Sequence, residues 1–172
     1  MFNALLRLFR PAAAVTQSEA DPSQSVAPGT QIRYRPTLVA ELELDHRNLL
    51  SLFALITELT NAEDYALAEM RLKEFHALLH KHLLTEKIHL YIYIEHLWPR
   101  TSEQHRMVQS YRQEMEGIGK VVVSFLRKYE NFTTDPHLYE PLRNDLAKVG
   151  AVLSRRIEAE EANLYPLYRE HS

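Results

Sequence analysis

The sequence predicts an all-α protein, an up-down-up-down antiparallel four-helix bundle with a flexible N-terminal tail. Three observations predict it. From Pro36 onward apolar residues recur at helical spacing over four long stretches, and strand-like alternation is scarce. The connections between those stretches are short, which makes consecutive helices antiparallel neighbours. Residues 11–30 are rich in Ala, Ser, Pro, Gln and Thr and read as a linker rather than core. The expected organisation is therefore a tail over 1–30 and a bundle over 31–172.

Each element has its own justification. Met1–Arg10 has the makings of a short amphipathic helix, with Leu5, Leu6, Leu8 and Phe9 as apolar residues. It lacks a basic leader, and Arg7 and Arg10 interrupt any apolar run, so neither a secretory signal nor a membrane span is expected. The first bundle helix begins near Pro36-Thr37, since Pro suits a first helical turn. Its stripe is Leu38, Leu42, His46, Leu49, Phe53 and Ile56. The second runs from about Glu63 to Leu97, where Pro99 stops it, with Leu72, Phe75, Leu79, His82, Glu86, Leu90 and Tyr93 inward. The third opens at the capping serine of "SEQH" and runs to about Tyr129 through His105, Val108, Met115, Val122 and Leu126. "NFTTDPHLYEP" is a turn region. The fourth runs from about Leu138 to Tyr168, with Leu142, Leu146, Val149, Leu153, Arg156, Glu160 and Leu164 inward.

Composition narrows the function. The 172 residues carry a net charge of −3, and no segment gathers enough Lys and Arg to follow a phosphate backbone, so nucleic acid is not an expected partner. Four glycines form no phosphate-cradling loop. Cysteine is absent, which excludes disulfides, thiolate ligands and a cysteine nucleophile and fits a cytoplasmic location. Six of the nine histidines fall between His76 and His105.

Some of the histidines break the apolar stripes, and those point to the interior. Each inward stripe is apolar except at one or two positions: His46 on the first helix, His82 and Glu86 on the second, His105 near the start of the third, Arg156 and Glu160 on the fourth. A buried charge must be paired or must bind a metal. His82 and Glu86 stand four residues apart, so both point the same way and can reach one cation. Arg156 and Glu160 repeat that spacing. Inward His and Glu side chains are the common construction of non-haem iron sites in bundles. A nitrogen and oxygen donor set suits iron or manganese and admits zinc. The rival pair His76 and His80 faces another side of its helix, toward solvent. Glu158 and Glu161 are expected in water, and Tyr93 is the tyrosine whose hydroxyl is expected to reach the site.

The stretches "ELDHRNLL", "HLLTEKIHLYIYIE", "SEQHRM" and "RRIEAEEANLYPLY" resemble the hemerythrin-like, HHE cation-binding domain over about residues 36–168. That resemblance implies a four-helix bundle with a non-haem di-iron site. It implies His46, His82, Glu86, His105 and Glu160 as metal ligands, with Glu86 and Glu160 bridging. The chain departs from the family at Arg156, which stands where the fourth helix should supply a histidine. "LAKVGAVLSRRIEAEE" also resembles, more loosely, the last helix of Rsd/AlgQ-type anti-sigma regulators, which implies a metal-free bundle whose partner is a sigma factor.

Arginine stays protonated and has no lone pair for a metal. Its planar fork suits a carboxylate and can stand in for one missing cation. The expectation is thus a degenerate site, mononuclear or incompletely di-iron. Its expected role is to sense or buffer oxygen, another diatomic or iron. No general base beyond the ligands and no second cofactor site is visible, so an enzyme is not expected.

Overall fold

The computed structural model describes residues 26–169. Residues 1–25, and with them the expected amphipathic start and most of the linker, lie outside the described residues.

Four helical rods make up the bundle. The first is α1 (Leu38–Asn61). The second is α2 (Tyr65–Thr85), continued by a π-helical turn, Glu86–Tyr91, and by α3 (Ile92–Leu97). The third is α4 (Glu103–Lys128). The fourth is α5 (Tyr139–Ala159), continued by a second π-helical turn, Glu160–Leu164, and by α6 (Tyr165–Arg169). α1 packs on α2 and α5, and α4 packs on α3 and α5, so the rods follow one another round the bundle in chain order. Among the described residues the only β pairing is an isolated bridge between Val26 and Arg33. No described helix is long and apolar enough to cross a membrane.

The ends of the rods follow from local chemistry. Glu63, in the left-handed region at φ 61°, turns the chain between α1 and α2. The Asp64 side chain then accepts the Leu67 N–H at 3.3 Å, satisfying a donor that the first turn leaves free. Trp98, next to Pro99, is driven to extended backbone (φ −101°, ψ 137°), and the second rod stops there. Ser102 caps α4, its hydroxyl accepting the His105 N–H at 3.1 Å. Two short 3₁₀ turns, Phe132–Thr134 and Pro136–Leu138, carry the chain into α5. Packed chain begins earlier than residue 31: Ala27 is fully buried, and the Arg35 N–H donates to the Tyr168 hydroxyl at 2.8 Å.

The core falls into two apolar clusters. One gathers Phe53, Ile56, Leu72, Phe75, Leu142 and Leu146 with their neighbours. The other gathers Leu38, Leu42, Leu90, Ile94, Leu164 and Tyr168 with theirs. Along three of the four inward stripes the crossover from one cluster to the other passes through polar residues: His46 between Leu42 and Leu49, His82 and Glu86 between Leu79 and Leu90, Arg156 and Glu160 between Leu153 and Leu164. On α4 it passes through Tyr111, Met115 and Ile118, so the expected polar position on the third stripe is not part of the layer. Burying apolar area drives the bundle together on both sides of this layer. The layer itself costs desolvation energy and must be matched internally.

Candidate metal centre

Five polar side chains fill the layer, and all are nearly inaccessible: His46 1%, His82 2%, Glu86 1%, Arg156 3% and Glu160 1% exposed. One ligand atom from each of His46, His82 and Glu160 lies within 4.8 Å of the others. Two metal–ligand bonds of about 2.1 Å span a comparable distance, so the three fit one cation.

The sequence fixes each of them by a different device. His46 comes from the middle of α1. Its Nδ1 lies 2.8 Å from Glu161 Oε1 and its Nε2 3.4 Å from Glu160 Oε2, so a carboxylate faces each ring nitrogen, and a cation would take the place of the Nε2 proton. A carboxylate behind a histidine is the usual way to hold a ligating ring in one tautomer. His82 closes α2, its ring 4.7 Å from that of His46. Its Nδ1 has no hydrogen-bond partner among the described residues, the nearest acid being Asp45 at 3.9 Å. Glu86 and Glu160 each open a π-helical turn. Such turns favour functional sites because one extra residue per turn re-aims the side chains that follow. Five residues beyond each glutamate a tyrosine is thereby brought inward, Tyr91 after Glu86 and Tyr165 after Glu160.

Arg156 is the hub of the other side. Its Nε donates to Glu160 Oε1 at 2.6 Å, one Nη to the Tyr91 hydroxyl at 2.5 Å, and the other to Glu114 Oε2 at 3.4 Å. The guanidinium lies 4.9 Å from the centre of the Tyr111 ring. Glu160 therefore joins a permanent cation through one oxygen and faces the histidines through the other. The Tyr165 hydroxyl lies 3.2 Å from His46 Nε2 and donates to Glu86 Oε1 at 3.3 Å. Glu86 Oε2, fully enclosed, meets no N–H or O–H donor among the described residues.

The electrostatics follow. Burial, with repulsion from His46, pulls His82 down to about 4, so its ring is neutral near pH 7 and keeps a lone pair. Burial opposes a charge on His46 as well, but Glu160 and Glu161 together lift it above the ordinary histidine range. Burial, reinforced by the charge of Glu160, pushes Glu86 well above the ordinary carboxylate range, against the pull of Arg156. A side-chain hydrogen bond with Glu160 adds to this upward pull, so the two acids favour sharing a proton that a bound cation would displace.

Not all the sequence-predicted residues converge. His46, His82 and Glu160 do. Glu86 is in the same layer, tied to His46 through Tyr165, but outside the 4.8 Å group. His105 is apart from that group: it sits in the first turn of α4 with its Nδ1 3.2 Å from the Glu95 carbonyl oxygen. Tyr91 and Tyr165 supply the hydroxyls that touch the layer's charged groups. Tyr93 instead packs against Tyr34 and Tyr168. Glu161, expected in water, is 40% exposed at its side chain yet bonds His46. The only sequence signal for these three was their position beside or five residues beyond a buried glutamate.

Fold and site together define a class: a helical bundle that buries, across its middle, a His/His/Glu cluster with the spacing to hold a cation. The family model for the hemerythrin HHE cation binding domain matches residues 37–168. The chain belongs to that family. No curated protein and no solved structure matches it.

Proposed function

We propose that the protein holds one non-haem metal ion, iron in the cell, at His46, His82 and Glu160, with Glu86 as the further carboxylate. In this reading Arg156 takes the place of a second cation, so the site is a degenerate, mononuclear version of the family's. The donor set of two imidazoles and carboxylate oxygen suits iron and admits manganese or zinc. An iron held so supplies open positions for dioxygen or another small diatomic. The protein then acts as a cytoplasmic sensor or buffer of oxygen, redox state or iron and turns over no substrate.

The observation that carries the reading is the convergence of three buried donors, one of which, His82, has an Nδ1 with no hydrogen-bond partner among the described residues. A purely structural polar layer would be expected to satisfy it, since an unpaired buried polar atom costs about 1–3 kcal/mol. The test is elemental analysis of full-length protein purified from iron-supplemented cells, beside His82→Ala. Wild type should carry about one iron per chain and the variant less than a tenth of that. A folded wild type with no metal, or a variant that keeps its metal, contradicts the reading. The first result would favour a metal-free regulator that binds a protein such as a sigma factor.

A further inference from the structure

Next to the cluster the interior opens into a chamber of about 210 Å³. Its inner end is made by His46, His82, Arg156 and Glu160, and its walls by Leu49, Phe53, Phe75, Leu79 and Leu153. Leu50 and Ala54, both exposed on α1, frame its mouth opposite Ser154 and Ile157 on α5. It is a cleft open to solvent at that mouth, and its apolar walls lead inward to a buried polar cluster.

Gly150 shapes one of those walls. A Cβ at that position would stand 2.9 Å from Phe53 Cε1, so the phenyl ring rests against the bare backbone of α5. Phe75 holds the same ring edge-on, with centroids 5.3 Å apart. The ring is thereby kept on the wall of the chamber.

Size and lining identify the occupant. Water takes about 30 Å³ in the liquid, and a diatomic is of the same order, so the chamber is several times larger than a diatomic needs. A cavity of about 150 Å³ lined by Leu, Ile and Phe stays dry and accepts benzene. The inner end offers an anion no unpaired charge. The Arg156 fork is already engaged by Glu160, Tyr91 and Glu114, and the His46 ring lies between Glu160 and Glu161. A cationic ligand would be stripped of water against apolar walls.

We propose that this chamber binds a small neutral aromatic molecule, one ring in size, which enters between α1 and α5 and rests against the His46, His82 and Glu160 cluster. The pocket needs no metal; only what the molecule meets at its inner end rests on the cation-site reading above.

The experiment is a toluene titration of full-length, metal-free protein, followed by leucine methyl NMR. Saturable shifts are expected at the methyls of Leu49, Leu79 and Leu153, while those of Leu90 and Leu164 stay still. Benzoate should bind at least tenfold more weakly. Ala54→Trp, a surface change that covers the mouth, and Leu153→Phe, which fills the interior, should each weaken toluene binding at least tenfold with helical circular dichroism unchanged. Absence of saturable shifts, equal shifts in both apolar clusters, benzoate as tight as toluene, or binding that survives in both variants overturns the proposal. Metal content is measured separately, on protein as purified from iron-supplemented cells before the metal is stripped. No metal there with intact toluene binding defeats only the cation reading, and metal there with no toluene binding defeats only this one.

Discussion

The two carboxylate-bearing rods are built alike and finished differently. The second reads His82, Glu86, Leu90, Tyr91; the fourth reads Arg156, Glu160, Leu164, Tyr165, at identical spacing. In both, the glutamate opens a π-helical turn and the tyrosine five residues on is drawn inward. Each tyrosine then reaches across to the opposite half, Tyr91 to Arg156 and Tyr165 to Glu86 and His46. The halves differ in satisfaction. Glu160 has Arg156 on one oxygen and His46 near the other. Within the layer, the two side-chain atoms that meet no N–H or O–H donor among the described residues, His82 Nδ1 and Glu86 Oε2, both belong to the second rod. Replacing an imidazole by a guanidinium thus keeps the frame and completes one half from within. The incomplete half is where an external cation has work left to do.

The comparison breaks most severely at Arg156. In metal-free protein, Arg156→Met leaves buried carboxylates without their cation, and removing one partner of a buried pair costs about 3–5 kcal/mol. Urea unfolding should show a loss of that order; a loss under about 1 kcal/mol would mean that the guanidinium does not hold its half together. The second effect is a pH dependence that belongs to His82. Its folded-state value of about 4 lies below the ordinary 6.5, so within that window the unfolded chain binds more protons and acid favours unfolding. Metal-free protein should lose up to about 3 kcal/mol on this account as pH falls from 6.5 to 4. Urea midpoints across that range should be flatter in His82→Leu by this amount, and parallel curves would remove the assignment. The smallest effect separates the tyrosines. Tyr91→Phe removes a hydrogen bond to a charged group, worth about 1.5–3 kcal/mol, whereas Tyr165→Phe removes a bond among groups of lesser charge, worth about 1 kcal/mol. Chemical denaturation should rank Tyr91→Phe as the more damaging, and the opposite order would reverse the roles given to the two halves.

The rods and the depth of the polar layer were legible in the sequence because both ride on the 3.6-residue period. His46, His82 and Glu160 each interrupt an apolar stripe, and a stripe fixes which way a side chain faces. The π turns were not legible, since a one-residue slip in backbone hydrogen bonding leaves no mark in the apolar pattern. That slip is why Tyr93 seemed the tyrosine nearest the site by helical spacing when Tyr91 and Tyr165 are the ones that reach its charged groups. Glu161 is exposed as its position predicts, and what the pattern does not reveal is that its carboxylate also reaches the His46 ring. His105 shared the stripe of the third helix, but its place in a capped first turn turned its ring toward the Glu95 carbonyl. Ala27 lay in a stretch whose composition reads as linker, and only tertiary packing reveals that it is buried.

The central claim is that Arg156 occupies the place of a second cation while the other half keeps a place for one. Metal stoichiometry of Arg156→His beside wild type, titrated anaerobically with ferrous iron and counted by elemental analysis, tests it most directly. The account predicts about one ion per wild-type chain and a higher count in Arg156→His. Two ions in wild type, or none in either protein, would contradict it.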